Sequence, residues 1–439
     1  MPETKQTHVV VLGAGFGGLE FCKHFHHPNT RITLVDRTNH HLFQPLLYQV
    51  ATAGLSAPDI AQPIRAILSG RTDLTILFDK VEDFDLANKQ VFLKGSTLNY
   101  DYLVVALGSQ TGYFGHPEWE QFAPGLKSLD DALRIRSRVL LAFEKAETTR
   151  DKSDDELLMT IIVVGGGPTG VEMAGALAEL SRTVLKRDFR RIDPSHARII
   201  LIEGSPVVLS HLPEDLSRSA QRQLEHLGVH VRTSTRVKEI RAGEVELDNG
   251  EIIRAGNIIW TAGVAANPLT KKLGAELDRG GRIKVKPDLS LPNHPEVFAI
   301  GDLAAVTEPD GKPVPGVSPA AMQMGRHAAR LIKDELDLGA GRSPRPAFRY
   351  WDKGTMATIG RSAAVAWMGK LKFSGLLAWM AWLLVHLVFL IGFRNKLAVI
   401  FQWAYSYFAF KRSARLITYL PQETAEEKEA KIISQKQTK

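Results

Sequence analysis

Two glycine fingerprints constrain this chain more than any other feature. HVVVLGAGFGGLE at residues 8–20 and TIIVVGGGPTGVE at residues 160–172 each pass from an apolar β-branched run through G-x-G-x-x-G into a helix-like stretch. That context marks a dinucleotide-binding βαβ unit rather than a bare glycine turn. In the first copy Gly13 permits the tight turn, Gly15 lets backbone approach a pyrophosphate, and Gly18 lets helix pack on strand, with Ala14 and Gly17 completing the loop. Gly165, Gly167 and Gly170 repeat those three roles. Each following helix presents its N-terminus to the phosphate charge. The fold predicted is α/β with two Rossmann-like domains, and a chain that holds two dinucleotides commonly does so to pass electrons between them.

Each fingerprint needs an acid at the end of the next strand to accept the adenosine ribose hydroxyls. TRITLVDR places Asp36 there, 23 residues beyond Gly13, with Arg37 beside it. In the second copy ARIILIE ends at Glu203, 38 residues beyond Gly165. The intervening SRTVLKRDFRRIDPSHA reads as a helix extension plus a loop. A carboxylate at Glu203 repels a 2′-phosphate, and EGSPVV supplies no arginine to attract one, so NADH is expected rather than NADPH.

At 439 residues and 44% hydrophobic content, the chain is long enough for two or three domains with full cores. Cys22 is its single cysteine, which excludes a disulfide framework, a CxxC redox pair and a cysteine metal site, and no metal ligands are indicated. MPETKQTH carries no charged-then-apolar leader, so the expected location is cytoplasmic. The formal net charge of +7 is matched by Lys370, Lys372, Arg394, Lys396, Lys411, Arg412 and Arg415, a stretch that contains no acid. Interleaved with them are FSGLLAWMAWLLVHLVFLIGF and LAVIFQWAYSYFAF. Such apolar and aromatic bulk suits a lipid interface and argues against a nucleic-acid partner. The first stretch has the 21 residues of a spanning helix, but the second has 14, too short to return. A hairpin lying in one leaflet, with all seven cations at one anionic bilayer surface, is therefore expected. The plainer alternatives are a buried helix pair or the interface of a homodimer.

Further segments carry a resemblance to the bacterial type II NADH dehydrogenases, the single-subunit, non-proton-pumping NADH:quinone oxidoreductases. YDYLVVALGS, with Ala106 and Gly108, and IIWTAGV, with Gly263, resemble the strands that return the chain to the cofactor in flavoproteins with two dinucleotide domains. VFAIGDLA resembles their second flavin motif, which implies that Asp302 bonds the ribityl or pyrophosphate part of a non-covalent FAD while Gly301 clears space. FQPLLYQVATAGLS resembles the loop against the flavin ring, with Pro45 and Leu46 shaping the pocket. GVSPAAMQMGRHAARLI resembles the segment that carries two glutamines towards quinone; Ala321 faces the cofactor and Gln323 stands at the second glutamine, but Pro319 replaces the first. Without the resemblance, Ser318-Pro319 is a helix start. Glu172 matches a family glutamate implicated in placing nicotinamide and handling protons, although a carboxylate in a first helical turn is also simply favourable there. His386, alone in its apolar stretch, is more often a hydrogen-bonded interface residue than a proton donor.

The resemblance implies an FAD domain from residues 1–112 and 280–330, an inserted NADH domain at 113–279, a β-rich cap at 331–369, and membrane-associating helices with a polar tail at 370–439. It implies hydride transfer from NADH to FAD, then electron transfer to a membrane quinone, at the cytoplasmic face of the inner membrane. Two other readings are a soluble-type ferredoxin or rubredoxin reductase, against which the apolar tail argues, and a non-catalytic membrane-bound flavoprotein sensor.

Overall fold

The computed structural model describes residues 6–149, 151–339, 344–409, 412 and 414–419; Phe410, Lys411 and the polar tail from residue 420 lie outside them. The apolar run of the first fingerprint forms the strand Thr7–Leu12, which is buried throughout Val9–Leu12 in a core shared with Phe21 of the following helix and with Phe84 and Val91 of a small antiparallel sheet. It lies parallel to Thr30–Asp36 on one side and Tyr102–Val105 on the other, inside a six-stranded sheet that also takes His294–Ala299 from far along the chain. The second fingerprint repeats the pattern. Its strand Thr160–Val164 lies between Arg198–Ile202 and Asn257–Trp260 in a four-stranded parallel sheet. In both sheets the chain leaves the fingerprint strand for one neighbour and returns to the other side, which opens a crevice at the carboxyl ends of the strands.

A short antiparallel ribbon, Ser109–Thr111 against Val264–Ala266, joins the two units. A three-stranded antiparallel sheet, Thr355–Gly360, Ala363–Met368 and Leu371–Ser374, packs on the helix Pro168–Glu179. A side chain at Gly175 of that helix would collide with the Ile359 carbonyl, so the contact is backbone to backbone. Residue 330, expected as a domain edge, falls within the helix Ser318–Leu338.

The C-terminal hairpin differs from the expectation in two ways. Residues 373–393 are not one continuous element: Gly375 at φ 68° and the break at Leu390 confine the first helix to Leu376–Phe389, and Gly392 at φ 89° precedes the second, Phe393–Ala409. Among the described residues no helix is long and apolar enough to cross a membrane. Nor do those of the seven cations that are described gather on one surface; Lys411 lies outside the described residues. Lys370 and Arg394 are exposed, whereas Lys372 pairs with Asp215, Arg412 is buried against Glu179, and Arg415 pairs with Asp188. The reason is local: after the second helix the chain turns back onto the nucleotide domains, where Thr418 and Tyr419 donate backbone N–H groups to the Ser137 hydroxyl.

The hairpin has two unlike faces. Ala378, Trp382, Leu390, Asn395 and Val399 are buried against the body. Leu377, Met380, Leu384, Val388, Phe393, Phe401 and Phe408 are exposed. Spacings of three, four, seven and eight residues put each set on one side of its helix.

Candidate active site

The two glycine loops share one geometry. Gly13 (φ 97°) and Gly165 (φ 109°) sit where L side chains are strained, and a Cβ there would press on the backbone of Ala106 and of Ala262. A Cβ on Gly18 or Gly170 would overlap the carbonyl oxygen of the first glycine of its own motif. Gly15 and Gly167, the residues preceding each helix, face open space. Backbone is thus bare where a pyrophosphate needs to approach, and both loops fit a dinucleotide.

The acids close the loops in the same way. Asp36 accepts the Ala14 N–H at 2.6 Å through one oxygen and the Thr38 N–H at 2.7 Å through the other. Glu203 accepts the Gly166 N–H at 2.6 Å and the Ser205 N–H at 2.6 Å. The longer spacing before Glu203 is absorbed by a π-helical turn, Leu180–Val184, and two short 3-10 turns, so the acid reaches the same place. Arg37 is exposed beside Asp36.

Around the crevice, Gly301 (φ 77°) begins a short 3-10 turn that carries Asp302, which accepts the Ser109 hydroxyl at 2.7 Å. Gly17 and Ala321 face each other closely, and a Cβ on Gly17 would lie 3.3 Å from the Ala321 carbonyl oxygen. Gly108 (φ 67°) opens onto free space, and Gly263 (φ 123°) lies under Phe114. Pro45 opens the flavin-side loop in a 3-10 turn, and Leu46 is fully buried behind it.

Glu172 is the fifth residue of its helix, beyond the first turn, because the helix starts at Pro168. The simple dipole explanation for a carboxylate therefore weakens, since that field decays within one turn. Instead Glu172 is buried in a hollow of about 100 Å³ whose wall includes Tyr48, Gln49, Thr358, Trp382 and Arg412. Burial raises its pKa to about 8, against a backbone interaction with Thr358 and the facing Trp382 indole that favour ionisation. The indole N–H is buried without closing a hydrogen bond. Beside it runs a chain of donors: the Trp403 indole N–H to Gln49 Oε1 at 2.8 Å, then Gln49 Nε2 to the Tyr48 hydroxyl at 2.8 Å.

Gln323 does not point to this chemistry. Its amide donates to the Trp351 carbonyl at 3.1 Å and accepts the Trp351 N–H at 2.9 Å, so it fastens the segment leading to the cap. Pro319 is the second residue of the same helix, where its missing N–H costs nothing. His386 donates Nδ1–H to the Trp382 carbonyl at 2.7 Å and stacks on the Trp382 ring; burial lowers its pKa to about 4, so it stays neutral. A larger hollow, about 480 Å³, lies on the other side of this helix, with Phe16, His41, Met322, Arg326 and Phe389 in its wall. Tyr48, Gln49, Trp382 and Arg412 escaped the sequence reading, because each is brought to the site by a partner distant in sequence.

Residues 7–325 match the pyridine nucleotide-disulphide oxidoreductase family, and residues 352–412 match the NDH2 C-terminal domain. Over 422 residues, 93% of this chain and 90% of the other, the sequence is 43% identical to the type II NADH:quinone oxidoreductase Ndh of Mycobacterium tuberculosis. The chain belongs to the type II NADH:quinone oxidoreductases. A family member from Haemophilus influenzae is 30% identical, covering 81% of this chain and 86% of its own. NDH2 from Plasmodium falciparum, solved in complex with NADH, superposes with a TM-score of 0.87 across 93% of this chain and 99% of that one; at 19% identity it shows the shared fold alone.

Proposed function

We propose that the protein oxidises NADH and passes the electrons through FAD to a membrane quinone, working from the bilayer surface without crossing it. Bound FAD supplies the redox chemistry, accepting a hydride on one side and releasing two electrons on the other. The Gly165–Gly170 loop and Glu203 hold NADH; the Gly13–Gly18 loop, Asp36 and Asp302 hold FAD. Both loops open at the carboxyl ends of their strands, so the two nucleotides meet in the crevice.

The observation that carries the quinone half is the placing of Glu172. Glu172 is buried between the NADH-domain helix and the inner face of a hairpin whose outer face is apolar and exposed. Glu172 keeps a proton up to about pH 8 and delivers it to the quinone side, with Tyr48 and Trp382 shaping the approach. The quinone ring reaches Glu172 from the hairpin past Tyr48 and Trp382, and the 480 Å³ hollow, whose wall shares no residue with that around Glu172, lies off this path. Outward side chains of the hairpin dip into the cytoplasmic leaflet, with Lys370 and Arg394 at the anionic headgroups.

NADH oxidation measured with a short-tailed quinone in solution, and with a long-tailed quinone in vesicles, tests the reading. Reduction of bound flavin by NADH that leaves both quinones untouched would favour the sensor alternative and defeat ours.

A further inference from the structure

The hollow of about 480 Å³ has a wall of two kinds. One part is apolar: Phe16 and Leu19 of the helix Phe16–His24, Met322 of the helix Ser318–Leu338, and Phe389, Leu390 and Phe393 at the turn of the hairpin. The other part is cationic. Lys23, Arg326 and Lys396 stand in the same wall with a single carboxylate, Glu20. Glu20 is buried and already shared, accepting Arg326 Nε at 2.7 Å and lying 3.7 Å from Lys23 Nζ. Lys396 Nζ donates to the Val388 carbonyl at 3.0 Å, a neutral partner that uses one of its three donors. His41 gives its Nδ1–H to the Ala14 carbonyl at 2.9 Å, and burial lowers its pKa, so the ring is neutral and brings no charge. The wall therefore carries three cations against one carboxylate.

Val388 and Phe393 are in this wall and also on the exposed outer face of the hairpin, so the hollow is continuous with the face that meets the bilayer on the reading above. Positive charge beside a surface bound for hydrocarbon is costly unless an anion meets it. A quinone ring is neutral and leaves the three cations unanswered. Free phosphate answers them but leaves the apolar wall to water. A phosphodiester carrying an acyl chain satisfies both parts.

We propose that this hollow is a site for one anionic phospholipid, its phosphate between Lys23, Arg326 and Lys396 and an acyl chain along Met322, Phe389 and Leu390. A lipid so placed touches the helices Phe16–His24 and Ser318–Leu338 and the hairpin turn together, and pins the tip of the hairpin to the flavin domain. The inference deepens the bilayer reading and rests on it for the route by which the lipid arrives.

The test uses the full-length, FAD-loaded protein in neutral detergent, with dioleoylphosphatidylglycerol, dioleoylphosphatidylcholine and inorganic phosphate as probes, and counts bound lipid by native mass spectrometry. Phosphatidylglycerol should saturate at one molecule per chain. Phosphatidylcholine should bind about tenfold more weakly or worse, and Lys23→Gln combined with Lys396→Gln should weaken phosphatidylglycerol by a similar factor, as expected of lysines beside an anionic headgroup. Equal binding of the two lipids, adducts that accumulate past one without saturating, an unaffected double variant, or displacement of the lipid by inorganic phosphate would each overturn the proposal. If the double variant purifies without flavin, Met322→Trp, which crowds the acyl side and keeps every cation, carries the measurement under the same criterion. Leu377→Asp with Phe401→Asp, both outside this wall, should still take up one phosphatidylglycerol in detergent; its loss there would assign the adduct to the docking face and overturn the site. Wild-type protein that holds the one lipid yet never floats with vesicles would defeat the bilayer reading and leave the site standing.

Discussion

Glu172 ties protonation to both stability and turnover. Its pKa rises from 4.5 to about 8 because burial penalises the carboxylate. Below about pH 4.5 folded and unfolded chains both hold the proton, so the residue contributes nothing to pH dependence. As the pH rises from there, the unfolded chain ionises first and burial costs stability, a cost complete once the folded carboxyl has titrated near pH 8. Glu172→Gln should therefore be more heat-stable than wild type at pH 8 and indistinguishable at pH 4, as thermal melts at the two values would show. The same variant should lose about 10²-fold in quinone-coupled kcat while NADH still bleaches the flavin at the wild-type rate in stopped flow. Slow bleaching would place Glu172 on the nicotinamide side instead. Gly170→Ala should purify yellow yet fail to bind NADH in titrations, since its methyl would overlap the Gly165 carbonyl in the second loop only. Residues like these were legible because a local motif fixes their neighbours. Trp382 and Arg412 were not, since their chemistry depends on partners far along the chain, such as Arg412 with Thr52 and Ala176.

At the scale of elements, the hairpin shows what apolar composition leaves undetermined. Residues 373–393 have the length of a spanning helix, yet backbone breaks at Gly375 and Leu390 and the burial of Trp382 make them an inward-packed, outward-exposed helix. Hydropathy counts residues without knowing which face is already covered. Substituting Leu377→Asp and Phe401→Asp together, both exposed at the surface, should release the protein from phosphatidylglycerol vesicles in flotation assays while leaving soluble-quinone activity intact. Full retention on the vesicles would assign that face to another partner. The nucleotide-binding elements were far more readable, because a strand, a glycine turn and a helix in succession admit few folds.

The whole molecule is tied together at Arg412. This buried guanidinium reaches the Thr52 carbonyl of the flavin-side loop at 2.8 Å, the Ala176 carbonyl at 3.2 Å and Glu179 at 3.0 Å, both on the helix that carries Glu172. Arg412→Met breaks the ion pair with Glu179 and removes the donors to the Thr52 and Ala176 carbonyls; breaking a buried pair costs about 3–5 kcal/mol, seen as a lower apparent Tm and faster flavin loss on warming. An unchanged melt would show that the tail contributes no rigidity. From sequence Arg412 counted as one more cation for the lipid surface, since nothing local announces that the chain doubles back.

That return leaves the hairpin fastened at both of its ends, by the cap sheet before it and by Arg412, Thr418 and Tyr419 after it. A paddle held so has no stroke. On the proposed bilayer docking, the distance from flavin to lipid is set at folding, and the quinone climbs to meet the protein. Turnover should accordingly follow the fluidity of the acyl chains through which the quinone diffuses, and be indifferent to the viscosity of the water above them.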